Sequence, residues 1–224
     1  MGTAGRIAAG LAGAVALVLV LAQVFLPGIA ASRISSRVGR YGTVESVRVT
    51  AWPAVKLLWG HADSVRVRAH NLRLSPAQTA KLLWEARGAA SIEMTAPTAQ
   101  EGSLGLSGVS LRKRGDVLTA EAQTTVADVQ AALPPGVTVQ LLASSGGKVE
   151  VRASGGLFGV GASVDAVAGA SEGKLVAHPL GFLLEGLQLT LFSDAHVYVE
   201  AVGASALAGE GTPSYRLTMR ASLH

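Results

Sequence analysis

The chain has 224 residues, a formal net charge of +4, 49% hydrophobic and 4% aromatic residues, and no cysteine. The missing cysteines exclude disulfides, thiol catalysis, thiolate metal sites and redox switching, so stability must come from buried apolar surface. With so few aromatics that core is built from Val, Leu and Ala, and the charge is split: residues 1–100 carry +7 and residues 101–224 carry −3.

Residues 7–26, IAAGLAGAVALVLVLAQVFL, contain one polar side chain, Gln23, and no charge. About 20 apolar residues at ~1.5 Å rise per residue match the ~30 Å hydrocarbon core of a bilayer. Arg6 precedes the run and the small residues PGIAAS follow it, which is also the outline of a secretory signal cut after Ala30 or Ala31. Residues 1–31 are therefore expected to be a membrane anchor or signal segment. The remainder is expected to work outside the cytoplasmic membrane, either as the extracytoplasmic part of a single-pass protein or secreted.

Ile34, Val38 and Tyr41 recur at helical spacing with Arg33, Arg37 and Arg40 between them, so residues 32–43 read as an amphipathic stalk near the interface. From residue 44 to 224 a single domain is expected. Its period is two: Val47, Val49 and Ala51 alternate with polar residues, as do Val65, Val67 and Ala69. The phase slips near Asn71, where Leu72 and Leu74 take over the apolar face, and this predicts a bulge. The alternation returns at 148–153, 187–191, 196–201 and 215–221, and more weakly at 108–112, 116–123, 137–142 and 158–167. Such strands belong to antiparallel sheets with one wet face.

Helices are few. Pro53 and Gly60 bracket PAVKLLWG, Ser75 and Gln78 form a capping box opening PAQTAKLLWEAR, and Thr125 and Asp128 do the same for VADVQAAL. Roughly nine strand faces and three short helices leave two packings open. The sheets either cover each other as a sandwich, or one strongly curved sheet wraps a helix and leaves an apolar groove.

Catalytic signals are weak. His61-Ala62-Asp63 and Asp194-Ala195-His196 are close His/acid pairs, HExxH does not occur, and the one GxSxG string, GASEG at 169–173, has no helical segment after it to form a nucleophile elbow. GGLFGVG at 155–161 lacks the lysine of a phosphate loop. No enzyme activity, cofactor or metal is expected. A nucleic-acid partner is not expected either, since no aromatic–basic module accompanies the positive charge. That charge suits a membrane surface instead, where each Lys or Arg contributes about 1 kcal/mol of attraction to anionic lipid. Trp52, Trp59 and Trp84 all lie in this basic half, two of them within leucine-rich segments. Tryptophan favours membrane interfaces because its ring is buried while its N–H stays wet.

The order of these segments, and above all ESVRVTAWPAVKLLWGHADSVRVRAHNLRL, resembles the LmeA-like phospholipid-binding family of actinobacterial cell envelopes. Pro53, Leu57, Leu58, Gly60 and Val65-Arg66-Val67 carry the resemblance, and TTVADVQAAL at 124–133 is similar to the family's mid-chain helix. HPLGFLLEGL at 178–187 stands where a proline-rich leucine segment is expected. The resemblance implies a phospholipid-binding envelope protein, with a role in lipid transport or in lipid or lipoglycan maintenance. It also implies a tubular, lipid-carrier type of fold and gives no catalytic residue.

The expectation is an α+β chain with a mainly antiparallel, strongly curved sheet and a few short helices, binding a phospholipid or other envelope amphiphile. Expected lipid-binding residues are Trp52, Pro53, Leu57, Leu58, Trp59, Val65, Val67, Leu82, Leu83 and Trp84. Expected membrane-facing bases are Arg33, Arg37, Arg40, Arg48, Arg66 and Arg68, of which the strand arginines face away from the apolar side. The alternative is a non-enzymatic scaffold with a dry β-sandwich core that binds envelope proteins, whose identity the sequence leaves open.

Overall fold

The computed structural model describes residues 22–157, 160–181, 186–207 and 213–224. Most of the apolar run at 7–26 lies outside the described residues, and 22–26 are helical. No helix among the described residues is long and apolar enough to cross a membrane.

The first element is helix α1, which holds residues 22–38 in one piece. The end of the apolar run and the basic stretch after it are thus the same helix, and the 31/32 junction falls inside it. Helical spacing runs through that junction, with Ala30, Ala31, Ile34 and Val38 all packed on the core. Gly39 donates its N–H to Ser35 O (2.8 Å) and begins the turn into the first strand.

Thirteen strands among the described residues form two sheets. Sheet A holds β1 (Thr43–Thr50), β2 (Ala62–His70), β3 (Leu72–Leu74), β4 (Ala89–Glu101), β5 (Leu104–Arg114), β6 (Val117–Thr125), β12 (Val197–Leu207) and β13 (Ser214–Leu223). Its order is β1-β2-β4-β5-β6-β13-β12, with β3 also on β4. Sheet B is β11-β10-β9-β8-β7, made of β7 (Val137–Ser145), β8 (Lys148–Leu157), β9 (Val160–Ser171), β10 (Lys174–Pro179) and β11 (Leu189–Phe192). Neither sheet closes into a barrel. All pairings are antiparallel except β2 and β3 on β4, which are parallel. The chain therefore has two sheets where the sequence suggested one.

Register explains the core. Val49 pairs with Val65, Val65 with Ile92, Ile92 with Lys113, Lys113 with Leu118, Leu118 with Ala221, and Ala221 with Val199. Residues opposite one another point to one face, so this row crosses seven strands and is apolar except for Lys113. A second row, Val47, Val67, Met94, Leu111, Ala120 and Met219, runs beside it. Helix α1, helix α2 (Pro76–Glu85) and the 3-10 turn at Ala54–Trp59, between β1 and β2, cover this face.

Several details depart from the sequence reading. The slip at Asn71 is a residue in the left-handed region (φ 51°) that separates β2 from β3. Thr98 secures it, its hydroxyl donating to Asn71 Oδ1 (2.8 Å) and accepting from the Asn71 N–H (3.3 Å). The 54–59 segment is a 3-10 turn closed by Gly60 at φ 75°. α2 ends at Glu85, short of Gly88. Both capping boxes form, at Ser75/Gln78 and at Thr125/Asp128 on α3 (Val126–Ala132). Strands β4 and β10 have no counterpart in the sequence reading, and Leu187, Leu189 and Leu191 are exposed where alternation had them facing inward.

The sheets meet at the free edge of β12. Its N–H groups at Val199 and Val202 donate to Gly173 O (2.8 Å) and Gly147 O (3.1 Å), in two hairpin turns of sheet B. Ala204 N–H donates to Ser144 Oγ (3.0 Å). The donors of an exposed strand edge are thereby satisfied. Gly173 has φ 76° and lies against Tyr198, so a side chain there would be strained by its backbone and would strike the ring.

Candidate functional site

An open apolar groove of about 550 Å³ lies on the helix-covered face of sheet A. That volume falls in the ~300–1,000 Å³ range of small-molecule sites. Its floor is the strand row: Val49 on β1, Val65 and Val67 on β2, Ile92 and Met94 on β4, and Leu111 on β5. One wall is α1, which presents Leu26, Ile29, Ala30, Ile34 and Val38, followed by Tyr41 in the turn. The opposite wall is α2 and its exit, through Thr79, Leu82, Leu83 and Ala86. Both sets recur three and four residues apart, the spacing that puts side chains on one face of a helix. Leu57, Leu58 and Gly60 of the 3-10 turn close one end, and Leu72 and Leu74 of β3 also line the groove.

Only three charged residues line it, Arg33, Arg37 and Glu85. Arg37 Nη1 lies 2.8 Å from Glu85 Oε2 and spans the groove from α1 to α2. Arg33, one helical turn before Arg37, has no carboxylate within salt-bridge distance among the described residues. The groove is thus an apolar trough with one cation on its rim that has no acid partner among the described residues. A polar ligand would lose its hydrogen bonds to water and find few replacements inside. A hydrocarbon chain loses none and removes apolar surface from water at roughly 25 cal/mol per Å².

Lys113 holds the α2 wall in place. It is 2% exposed and points to the same face as Leu111, and its ammonium donates to Arg87 O (3.1 Å) and Ala89 O (2.5 Å). These carbonyls lie where the chain leaves α2 and begins β4. Burial lowers the lysine's pKa below its ordinary value near 10.5, opposed by the nearby Asp116 carboxylate. On the outer side of α2, Trp84 stacks on His196 (centroids 4.1 Å apart), with Arg87 4.1 Å over the same indole.

The structure brings Leu57, Leu58, Val65, Val67, Leu82 and Leu83 together in the groove lining, with Arg33 and Arg37 on its rim. It places Trp52, Pro53, Trp59 and Trp84 outside that lining. Trp52 and Trp59 are exposed at the 3-10 turn, and Trp84 packs away from the groove. Arg48, Arg66 and Arg68 lie on the opposite face of sheet A, where Arg66 and Arg112 approach Glu93 (3.3 and 4.0 Å). Arg40 is exposed in the turn after α1.

Sequence reasoning assigned Leu26, Ile29 and Ala30 to the membrane segment and read Ile34 and Val38 as the apolar face of a stalk, so it missed that together they form one groove wall. Unbroken helical spacing from 26 to 41 was the available signal. It also missed Ile92 and Met94, which sit on the unforeseen strand β4.

Asp63, the acid of the His61 pair, lies on β2. It accepts from the Trp52 N–H and approaches Lys56 Nζ (3.7 Å), so its oxygens are engaged in holding the 3-10 turn. No cluster of three or more His, Asp or Glu suited to a metal ion occurs among the described residues.

A sheet roofed by two helices that stand apart over an apolar floor defines a receptacle for a chain-like apolar ligand. The chain belongs to the LmeA-like phospholipid-binding family, which matches residues 20–218. The match takes in all the described turns of α1, so that helix belongs with the family's domain. No curated protein and no solved structure matches the chain.

Proposed function

We propose that the chain binds one phospholipid in the α1–α2 groove, acyl chain on the valine and leucine floor and anionic head group at Arg33. The observation that supports this most directly is the lining itself, which is apolar apart from Tyr41, Thr79 and three charged side chains at the rim. In this reading the protein is non-catalytic. It carries or presents an amphiphile at the outer face of the membrane, in lipid transport or in the upkeep of envelope lipids and lipoglycans.

The segment 7–26 acts here as a retained anchor. Cleavage after Ala30 or Ala31 would remove Leu26, Ile29 and Ala30 from the groove wall. It would also remove Gln23, whose side chain donates to Ala51 O (3.1 Å) and accepts from the Ala54 N–H (2.8 Å).

Native mass spectrometry of the detergent-solubilised full chain tests this reading. Co-purifying phospholipid is expected on the native chain and is expected to disappear from Leu82→Trp, which fills the groove from α2 with an added ring. A native chain that stays free of lipid after incubation with phospholipid vesicles overturns it.

A second reading, a module that binds envelope proteins, has one observation in its favour. Leu187, Leu189 and Leu191 lie exposed at β11, which is an edge strand of sheet B among the described residues.

A further inference from the structure

Thirteen large apolar residues are exposed among the described residues, and six of them come from two short segments, 24–29 and 52–59. Val24, Phe25, Trp52, Leu58 and Trp59 are 67%, 61%, 72%, 65% and 70% exposed. The segments are held together, since the Gln23 amide bonds to the backbone on both sides of Trp52-Pro53, at Ala51 O and at the Ala54 N–H. A cluster of two indoles, a phenylalanine and branched aliphatics open to solvent is rare on a surface that faces only water.

This cluster is also the end of the groove. Ile29 and Leu58 are both exposed and part of its lining. Ile29 and Leu58 therefore belong both to the outside of the tip and to the groove. In the sequence, Val24 and Phe25 belong to the last turn of the charge-free run of 7–26.

From these three observations we infer that the tip formed by 24–29 and 52–59 inserts into the interfacial layer of the membrane, and that the groove loads its lipid through this end. The occupant is the bilayer surface. The last residues of the apolar run, 22–26, are part of this tip, so where the end of the run meets lipid the tip is beside it. Tryptophan at two exposed positions matches that layer, which takes the ring and leaves the N–H wet. Arg33 lies four residues after Ile29, about 6 Å along the helix at 1.5 Å per residue. With Ile29 at the hydrocarbon boundary, Arg33 stands among the head groups, beside the groove rim.

The inference rests on the lipid-binding reading for its route of loading but not for its docking geometry, and the test separates the two. Three single-tryptophan versions of the full chain keep Trp52, Trp59 or Trp84, with phenylalanine at the other two positions. Each is reconstituted into vesicles of phosphatidylcholine and phosphatidylglycerol, with and without acyl chains brominated near the head group. All three retain the anchor, so quenching reports how the domain is oriented and not whether it is recruited. Bromine is expected to quench Trp52 and Trp59 strongly and to leave Trp84 emission unchanged.

Equal quenching at all three positions, or none at Trp52 and Trp59, overturns the docking geometry even if lipid still co-purifies. Tip quenching on a chain that never carries lipid retains the docking and overturns the loading. In a second measurement, Trp52→Ser with Trp59→Ser is expected to slow vesicle-to-vesicle lipid transfer while the lipid bound at equilibrium stays the same. Unchanged transfer overturns the portal. Both side chains are exposed, so the double variant keeps its core.

Discussion

Sheet A and sheet B are made from similar residues, chiefly Val, Ala and Leu on alternating strands, yet they differ in what covers them. Sheet A places its apolar rows under α1 and α2. Of the buried apolar residues among the described part of the chain, all but one belong to sheet A, its helices or the segments joining them. The exception is Val176 on β10. Sheet B is attached through hydrogen bonds to the β12 edge and through Phe192 of β11, which packs on the sheet A core, while the leucines of β11 face solvent. The difference shows where this chain obtains its stability and where its ligand space comes from. Two helices over one sheet both bury the rows and, by standing apart, leave the trough between them. An edge-on junction does neither.

The contrast is broken most forcefully from the core side. Leu118 is 2% exposed and sits mid-row on β6. Leu118→Ala is expected to cost about 2–5 kcal/mol, the range for a buried leucine replaced by alanine. Leu189→Ser on β11 is expected to stay within about 0.5 kcal/mol, as exposed substitutions do. Chemical denaturation of both variants measures the gap. Similar losses would mean that sheet B carries a share of the stability that its exposed leucines do not indicate.

A smaller effect is expected at Lys113. Lys113→Met keeps length and apolar bulk but leaves the Arg87 and Ala89 carbonyls without their donor, at about 1–3 kcal/mol. Acidity sharpens the test. Burial holds the folded-state pKa below the unfolded value near 10.5, so between those two values the native state binds fewer protons than the unfolded one. Stability contributed through Lys113 therefore rises with pH across that window and levels off above 10.5. The difference between the native chain and Lys113→Met should widen as pH rises toward 10.5. A gap that stays constant or narrows would show that the lysine is not desolvated in the fold.

How much of this was legible in the sequence depended on whether the signal was local. β1 and β2 alternate cleanly and were readable, as were both capping boxes, because each is complete within four residues. Asn71 announced itself by the phase slip, although a left-handed residue and a bulge look alike in a hydrophobic pattern. β4 was hidden by Pro97, which ordinarily argues against a central strand. Here the proline falls between the β2 and β3 ladders on one side and opposite Gly108 (φ 56°) on the other, so no ladder bond is asked of it.

The groove was half legible for a related reason. Leu57, Leu58, Val65 and Val67 announce an apolar surface, but the wall opposite comes from α1. The composition of 7–26 drew attention to the membrane and away from the helical spacing that continues past it. The tryptophans point the other way. Their residue type signals an interface, while the sequence is silent on which side of α2 Trp84 faces. Leu82 and Leu83 line the groove, and Trp84 turns outward onto His196.

The smallest effect on stability is expected from the pair that joins the two walls. Arg37 and Glu85 are both solvent-accessible, so their 2.8 Å contact contributes at most about 1 kcal/mol, and less in salt. Its position matters more than its strength, since it ties α1 to α2 across the trough proposed to hold the lipid. Arg37→Ala is expected to leave the denaturation midpoint nearly unchanged and to speed the exchange of bound phospholipid between vesicles. Raising the salt concentration should bring the native chain toward the variant's rate. If exchange is instead unaffected by Arg37→Ala and by salt, the tie is a surface contact with no bearing on access. The separation of α1 from α2 would then be set by the sheet beneath them, through the spacing of Val49, Val65 and Ile92 along the row, and not by the charges on the rim.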